Sequence, residues 1–239
     1  MIIAMGDVTI DTPDGPMPVA VAEPAGAPRG GIVVIQEAFG VTDHIVDVTR
    51  RLAEAGWLAV APALFHRQGA PVFAYDGGFE KLRPVFESLD ADGIATDLGA
   101  AFGYLGERGV AAERRGIVGF CMGGTLALHA ATRFPVGAAV TFYGGGVAQG
   151  RGGLASLVEQ APDLGAPWLG LYGDLDASIP VDDVERLRVA AASAPVPTEI
   201  VRYPDAEHGF NCDDRSSHHP VAAADAWSRT LAWFGTHLR

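Results

Sequence analysis

A cysteine, an acidic loop and a histidine follow one another along this chain in an order that would suit covalent acyl transfer. Cys121 lies in Gly119-Phe120-Cys121-Met122-Gly123-Gly124, between a short apolar run and the helix-favouring stretch 125–131. A strand therefore becomes a helix at the sulfur. Glycines two residues before and two after it remove side chains that would collide where the backbone bends sharply, the cysteine form of a nucleophile elbow. A helix that starts there places unpaired N–H groups and the positive dipole end beside the sulfur, a setting that favours thiolate. The competing reading is a buried, inert cysteine at a tight turn.

An elbow nucleophile needs an acid and then a histidine later in the chain. Tyr172-Gly173-Asp174-Leu175-Asp176 and Asp205-Ala206-Glu207-His208-Gly209 each leave the end of an apolar run. His208 is the expected base. Asp174 and Asp176 both qualify as the acid on spacing alone. Acyl chemistry also needs two N–H donors aimed at the oxygen that turns negative. Met122, directly after the cysteine, supplies one, and Ala38 in the loop Gln36-Glu37-Ala38-Phe39-Gly40 is the expected second.

The elements that must hold these residues alternate along the chain. Residues 5–10 and 17–22 form short alternating runs around Pro13-Asp14-Gly15-Pro16, which reads as an antiparallel hairpin at a sheet edge. From there the pattern changes: 31–35 is a continuous apolar run, as in a strand buried on both faces, and 57–63, 116–120, 137–143, 168–172 and 199–203 read as further strands. Between and after them the 3.6-residue pattern predicts helices over 43–54, 79–88, 92–106, 122–133, 181–192 and 220–238. The expected fold class is α/β, one domain over 1–239, with a mostly parallel sheet covered by helices on both faces and an antiparallel N-terminal edge. Ligands of such sheets bind beyond the carboxyl ends of the strands, where Cys121 falls. The irregular excursion 65–88 is expected to line or cover the site.

Composition sets the outer limits. With 239 residues, 49% hydrophobic and 19% charged, the chain fills a large core without disulfides or metals. Its net charge of -12 repels nucleic acid, and an anionic ligand needs a nearby Arg or Lys. The apolar start, 1–7, is too short and lacks a basic flank for a secretory signal or membrane helix, so a cytoplasmic protein without membrane association is expected. The two cysteines, Cys121 and Cys212, build no disulfide framework. His208, Cys212, His218 and His219 fit no zinc spacing, so no metal is expected. His44 and His66 read as surface or loop residues and His129 as packed or capping. Gly144-Gly145-Gly146 lacks the spacing of a nucleotide loop.

Taken together, Gln36-Glu37-Ala38-Phe39-Gly40-Val41, the elbow at Cys121, the Asp176 loop and Ala206-Glu207-His208-Gly209-Phe210 resemble the dienelactone hydrolase family. The resemblance implies an α/β-hydrolase fold, a Cys-His-Asp triad, no cofactor, and hydrolysis of a small-molecule lactone or ester, with carboxymethylenebutenolidase as the family's named activity. It makes Cys121 the nucleophile, His208 the base and Asp176 the orienting acid, since Asp176 has the family's distance to Pro180. It also gives Glu37 a part in activating the thiol. One departure stands out: the family's carboxylate-binding arginine, four residues after the histidine, is Cys212 here. Arg215, Lys81 and Arg83 are the candidate replacements, and Tyr143 and Phe39 the candidate pocket walls. A thioesterase or general carboxylesterase is the nearer alternative, a non-catalytic binding protein the more distant. A monomer or small homo-oligomer is expected.

Overall fold

Runs of Val, Ile and Ala with no polar alternation build the centre of an eight-stranded sheet in a computed structural model that describes residues 4–239. Met1, Ile2 and Ile3, the first part of the apolar start, lie outside the described residues. β1 (Ala4–Thr12) and β2 (Gly15–Glu23) pair antiparallel across a two-residue turn, closed by the Thr12 hydroxyl donating to Gly15 O at 2.7 Å. Gly15 takes φ 114°, which a side chain there would oppose. Next come β3 (Gly31–Ile35), α1 (Asp43–Glu54), β4 (Leu58–Pro62), α2 (Phe79–Glu87), α3 (Ala91–Glu107), β5 (Arg115–Phe120), α4 (Met122–Arg133) and β6 (Ala138–Phe142). The chain ends with α5 (Leu157–Gln160), β7 (Trp168–Gly173), α6 (Val181–Ala191), β8 (Thr198–Tyr203) and α7 (Pro220–His237).

The strand order is β1-β2-β4-β3-β5-β6-β7-β8. The pairs β1/β2 and β2/β4 are antiparallel and every later neighbour pair is parallel, so the antiparallel part is the N-terminal edge. Strands β3, β4, β6 and β7 are buried along their whole length, which is why their sequences show no alternation. Parallel β3, β5, β6, β7 and β8 bring their carboxyl ends to one rim of the sheet, and the loops that carry Glu37, Cys121, Asp176 and His208 all leave from it.

Two expectations change. His44 and His66 are buried, 3% and 8% exposed, rather than at the surface. His66 Nε2 lies 3.1 Å from Asp97 Oδ1 on α3, and Arg67 donates to both oxygens of that fully buried carboxylate at 2.7 and 3.0 Å. His44 stacks edge-on against Phe120 and its Nδ1 is 3.4 Å from Asp213. In each case a partner far along the chain makes burial affordable. The short α5 went unread: its Ser156–Glu159 capping box is present, but four residues are too few to show periodicity.

Candidate active site

The elbow is built by close approach. Cys121 takes φ 55° and ψ -115°, a region that non-glycine residues rarely occupy and that costs energy unless its surroundings fix it. They do: the Cys121 N–H donates to Phe142 O on β6 at 3.1 Å, while its carbonyl accepts from Gly124 and Thr125 at 3.0 and 3.3 Å. A Cβ on Gly119 would run into the Gly123 carbonyl, and one on Gly123 into the Ile35 carbonyl. The glycines of the motif are therefore required by contact between backbones.

His208 and Asp176 reach the same place from β8 and β7. His208 Nδ1 donates to Asp176 Oδ2 at 2.6 Å. Asp176, 4% exposed, has its other oxygen held by the Ser178 N–H at 2.9 Å and the Ser178 hydroxyl at 2.6 Å. Burial alone would raise the Asp176 pKa, but the hydrogen bond and charge of His208 and the two Ser178 donors hold it below the ordinary value. For His208 burial works toward the neutral ring, yet the neighbouring Cys121 sulfur and the bond to Asp176 outweigh it and lift the pKa to about 10. Asp174 is engaged elsewhere, accepting two bonds from Arg202 at 2.7 Å each. Ser178 escaped the sequence reading, although an Asp followed two residues later by Ser is the signature of an Asx-type turn and could have suggested it.

Cys121 and His208 line one cavity of about 420 Å³, together with Ala38 and Met122. The N–H groups of Ala38 and Met122 donate to no acceptor among the described residues. The remaining wall is largely apolar, with Phe86, Leu89, Ile94, Leu126 and Leu154, and Arg151 also borders it. A second, more open cavity of about 790 Å³ also reaches His208 and is bordered by Asp76, Asp176, Glu207, Asp214 and Arg215.

Glu37 is fully buried; its Oε1 accepts from Arg215 at 3.1 Å and its Oε2 has no hydrogen-bond partner among the described residues. Arg215 also lies over the rings of Phe39 and Tyr75, at 5.7 and 5.8 Å. Phe39 packs edge-on against Tyr75 and borders neither cavity. Tyr143 is fully buried, with φ 38° and its ring 5.0 Å from that of His208, so it backs the histidine and faces neither cavity. Lys81 and Arg83 do not come to the site: both are exposed on α2, where Leu82 between them turns inward, and Arg83 pairs with Glu87 at 3.2 Å. Cys212 is buried and free, its thiol pKa pushed up to about 11 by that burial; Cys121 is free as well. The His219 ring accepts from the Ala222 N–H at 3.2 Å and caps α7, and among the described residues no three His, Cys, Asp or Glu side chains gather as a metal site. No helix among the described residues is long and apolar enough to cross a membrane.

A mostly parallel sheet with a strained cysteine at a strand–helix elbow, and a histidine and an aspartate from later loops beside it, is the architecture of the α/β-hydrolases. A crystal structure of a provisionally named dienelactone hydrolase from Klebsiella pneumoniae superposes with a TM-score of 0.90 at 39% identity, covering 99% of this chain and 100% of that one. Provisionally named carboxymethylenebutenolidases from Yersinia pestis and Escherichia coli K12 are 38% and 40% identical, covering 98% and 92% of this chain and 89% and 78% of those relatives. The model of the dienelactone hydrolase family matches residues 17–238. The chain belongs to the dienelactone hydrolase family and is a carboxymethylenebutenolidase-like hydrolase.

Proposed function

We propose that this protein hydrolyses a lactone or small carboxylic ester through a thioester on Cys121. The observation that carries the reading is the convergence of Cys121 and His208 on one cavity, with Asp176 bonded behind the ring at 2.6 Å. The sulfur attacks the carbonyl carbon, the N–H groups of Met122 and Ala38 hold the oxyanion, and the C–O bond of the ester breaks. His208 accepts the thiol proton and passes it to the departing oxygen, which in a lactone stays tethered to the acyl group. Water, deprotonated by His208, then attacks the thioester; the acid leaves and the thiol is restored. Asp176 keeps Nδ1 protonated and the ring aligned. Glu37 assists thiol activation, the role the family resemblance gives it, through the oxygen that Arg215 does not occupy.

Thiolate is a soft nucleophile and a better leaving group than an amine, which favours activated esters and enol-lactones over peptides. A second reading, a more general carboxylesterase, is favoured by the apolar wall of Phe86, Leu89, Ile94, Leu126 and Leu154. Turnover of a dienelactone, p-nitrophenyl esters and acyl-thioesters ranks these substrates directly. The thioester is tested with Cys121→Ala, expected to lose at least about 1,000-fold in kcat/KM, and by intact mass after rapid quenching, expected to show an acyl adduct on the wild-type chain. Undiminished turnover by Cys121→Ala would refute the mechanism.

A further inference from the structure

We propose that segment 71–75 clamps the loop that carries Ala38, and that Thr42 and Tyr75 are positioning residues that fix the Ala38 N–H in the oxyanion hole. This rests on the hydrolase reading above and extends its machinery beyond the residues that meet the reacting atoms.

The loop does little to hold itself. The turn that carries Glu37 and Ala38 is closed by one long bond, Gly40 N–H to Glu37 O at 3.4 Å, and Gly40 sits at φ 89°. Fully buried Gln36 anchors its start: Oε1 accepts from the Leu64 N–H at 3.1 Å and Nε2 donates to Glu37 O at 3.3 Å. Beyond Ala38 the support comes from 71–75. The Phe73 N–H donates to Phe39 O at 2.9 Å, the Tyr75 ring packs edge-on against Phe39 at 4.7 Å, and the Tyr75 and Thr42 hydroxyls share a hydrogen bond of 2.9 Å. Pro71 closes the contact at its other end, where a Cβ on Gly40 would run into the Pro71 carbonyl. Backbone contact, backbone bond, ring contact and hydroxyl pair thus follow one another along 71–75, opposite 39–42.

Thr42 forgoes a local bond to make this one. It immediately precedes α1, where a threonine hydroxyl ordinarily accepts from an N–H of the first turn, yet its side chain makes no such bond. The residue is buried and its hydroxyl is turned to Tyr75. The Cys212 thiol lies against the same phenol hydroxyl, and Arg215, held by Glu37 at 3.1 Å, stands 5.8 Å from the centre of the ring. The phenol is therefore enclosed between the loop it steadies and the loop that follows His208. An oxyanion donor is effective when its N–H is already fixed where negative charge will develop, since reorganising it during the reaction forfeits the gain. With one long bond inside the turn, that fixing falls to 71–75.

The test uses Thr42→Val, Tyr75→Phe and their combination, with p-nitrophenyl butyrate as substrate and kcat referred to the folded fraction from calorimetric melting. Each single change is expected to lower kcat roughly 10- to 30-fold with KM within about twofold, because the donor loosens while the cavity is unchanged. Thr42 borders neither cavity, so its KM is the cleaner control. The double variant is expected to be no slower than the slower single one, since all three remove the same bond. Thr42→Ser, which keeps the hydroxyl, is expected to stay within about threefold of wild type. Retained kcat in Thr42→Val, losses that multiply in the double variant, or a Thr42→Ser variant as slow as Thr42→Val overturns the proposal. Calorimetry with hexanal and hexanol separates it from the hydrolase reading. The Cys121 sulfur adds to the aldehyde carbon, the thiol proton passes to the oxygen, and that oxygen occupies the oxyanion hole, whereas the alcohol forms no such bond. Thr42→Val is expected to weaken hexanal binding by about the factor lost in kcat and to leave hexanol binding unchanged. A wild-type chain that prefers hexanal while every variant binds it equally defeats the clamp alone. A wild-type chain with neither that preference nor turnover defeats the hydrolase reading, and the clamp with it.

Discussion

His208–Asp176 and His66–Asp97 are two close histidine–aspartate pairs in one chain, 2.6 and 3.1 Å apart, the first half-buried and the second buried. The difference lies in what else the carboxylate touches. Asp97 is shared with Arg67, which bonds both of its oxygens and reaches on to Asp14 in the β1–β2 turn. Its charge is neutralised locally, and the cluster ties the edge hairpin to α3. Among the described residues Asp176 has only the neutral Ser178 donors besides its histidine, so its negative charge is left for the imidazole. His208 also borders a cavity with a thiol in it, and His66 does not. A close His–Asp contact is thus not a sign of a base; an uncompensated carboxylate beside an open nucleophile is.

The largest effect expected from this contrast comes from Asp176→Asn, which should lower kcat by a factor on the order of 100 to 10,000, because the ring loses its orientation and the charge behind it. Steady-state kinetics on a p-nitrophenyl ester measures it, and retained kcat would place His208–Asp176 in the same structural category as the other pair. Asp97→Asn is the counterpart. It should leave kcat per folded molecule in place but cost about 3 kcal/mol of stability, a melting point lower by roughly 6–12 °C, since Arg67 and His66 lose a fully buried counter-charge. Calorimetric melting alongside kinetics decides, and a drop in kcat with unchanged melting would erase the distinction.

A third effect, read from stability alone, is in pH. Folding raises the His208 pKa to about 10 from an unfolded value of ~6.5. Its protonated form therefore stabilises the fold fully below about 6.5, and that contribution is lost as the pH climbs through about 10. Urea midpoints should fall between these limits, and less steeply in Cys121→Ala, since the sulfur is the strongest of the influences that raise the His208 pKa. Parallel curves for the two proteins would mean that sulfur and ring do not sense one another.

Most of the fold could be read from the chain because its strands are buried on both faces and announce themselves as unbroken apolar runs. The elbow was readable for a related reason: Gly119 and Gly123 are dictated by backbone contacts only a few residues or one strand away. His208 follows from strand-end position, a topological property, whereas that position fits Asp174 as well as Asp176 and only the family resemblance separates the two. What escaped is set by partners distant in sequence. Nothing near His66 reveals Asp97, some thirty residues on, and nothing near Arg151 says that it will border the cysteine's cavity. Lys81 and Arg83 failed as candidates because the rotation of α2 about its own axis depends on where Leu82 packs, and that is decided by the rest of the core. Arg215 reached Glu37, a contact that spacing alone did not specify.

The interlocked glycines at the elbow have a consequence for how this scaffold can change. Because Gly119, Gly123 and Gly124 each abut another stretch of backbone, half of the positions in 119–124 admit no side chain without displacing backbone. Much of the apolar cavity wall, by contrast, is carried by the side chains of Phe86, Leu89, Ile94 and Leu154, outside the elbow. Retargeting the protein by directed evolution is therefore best confined to those wall side chains, with the elbow carried along unaltered.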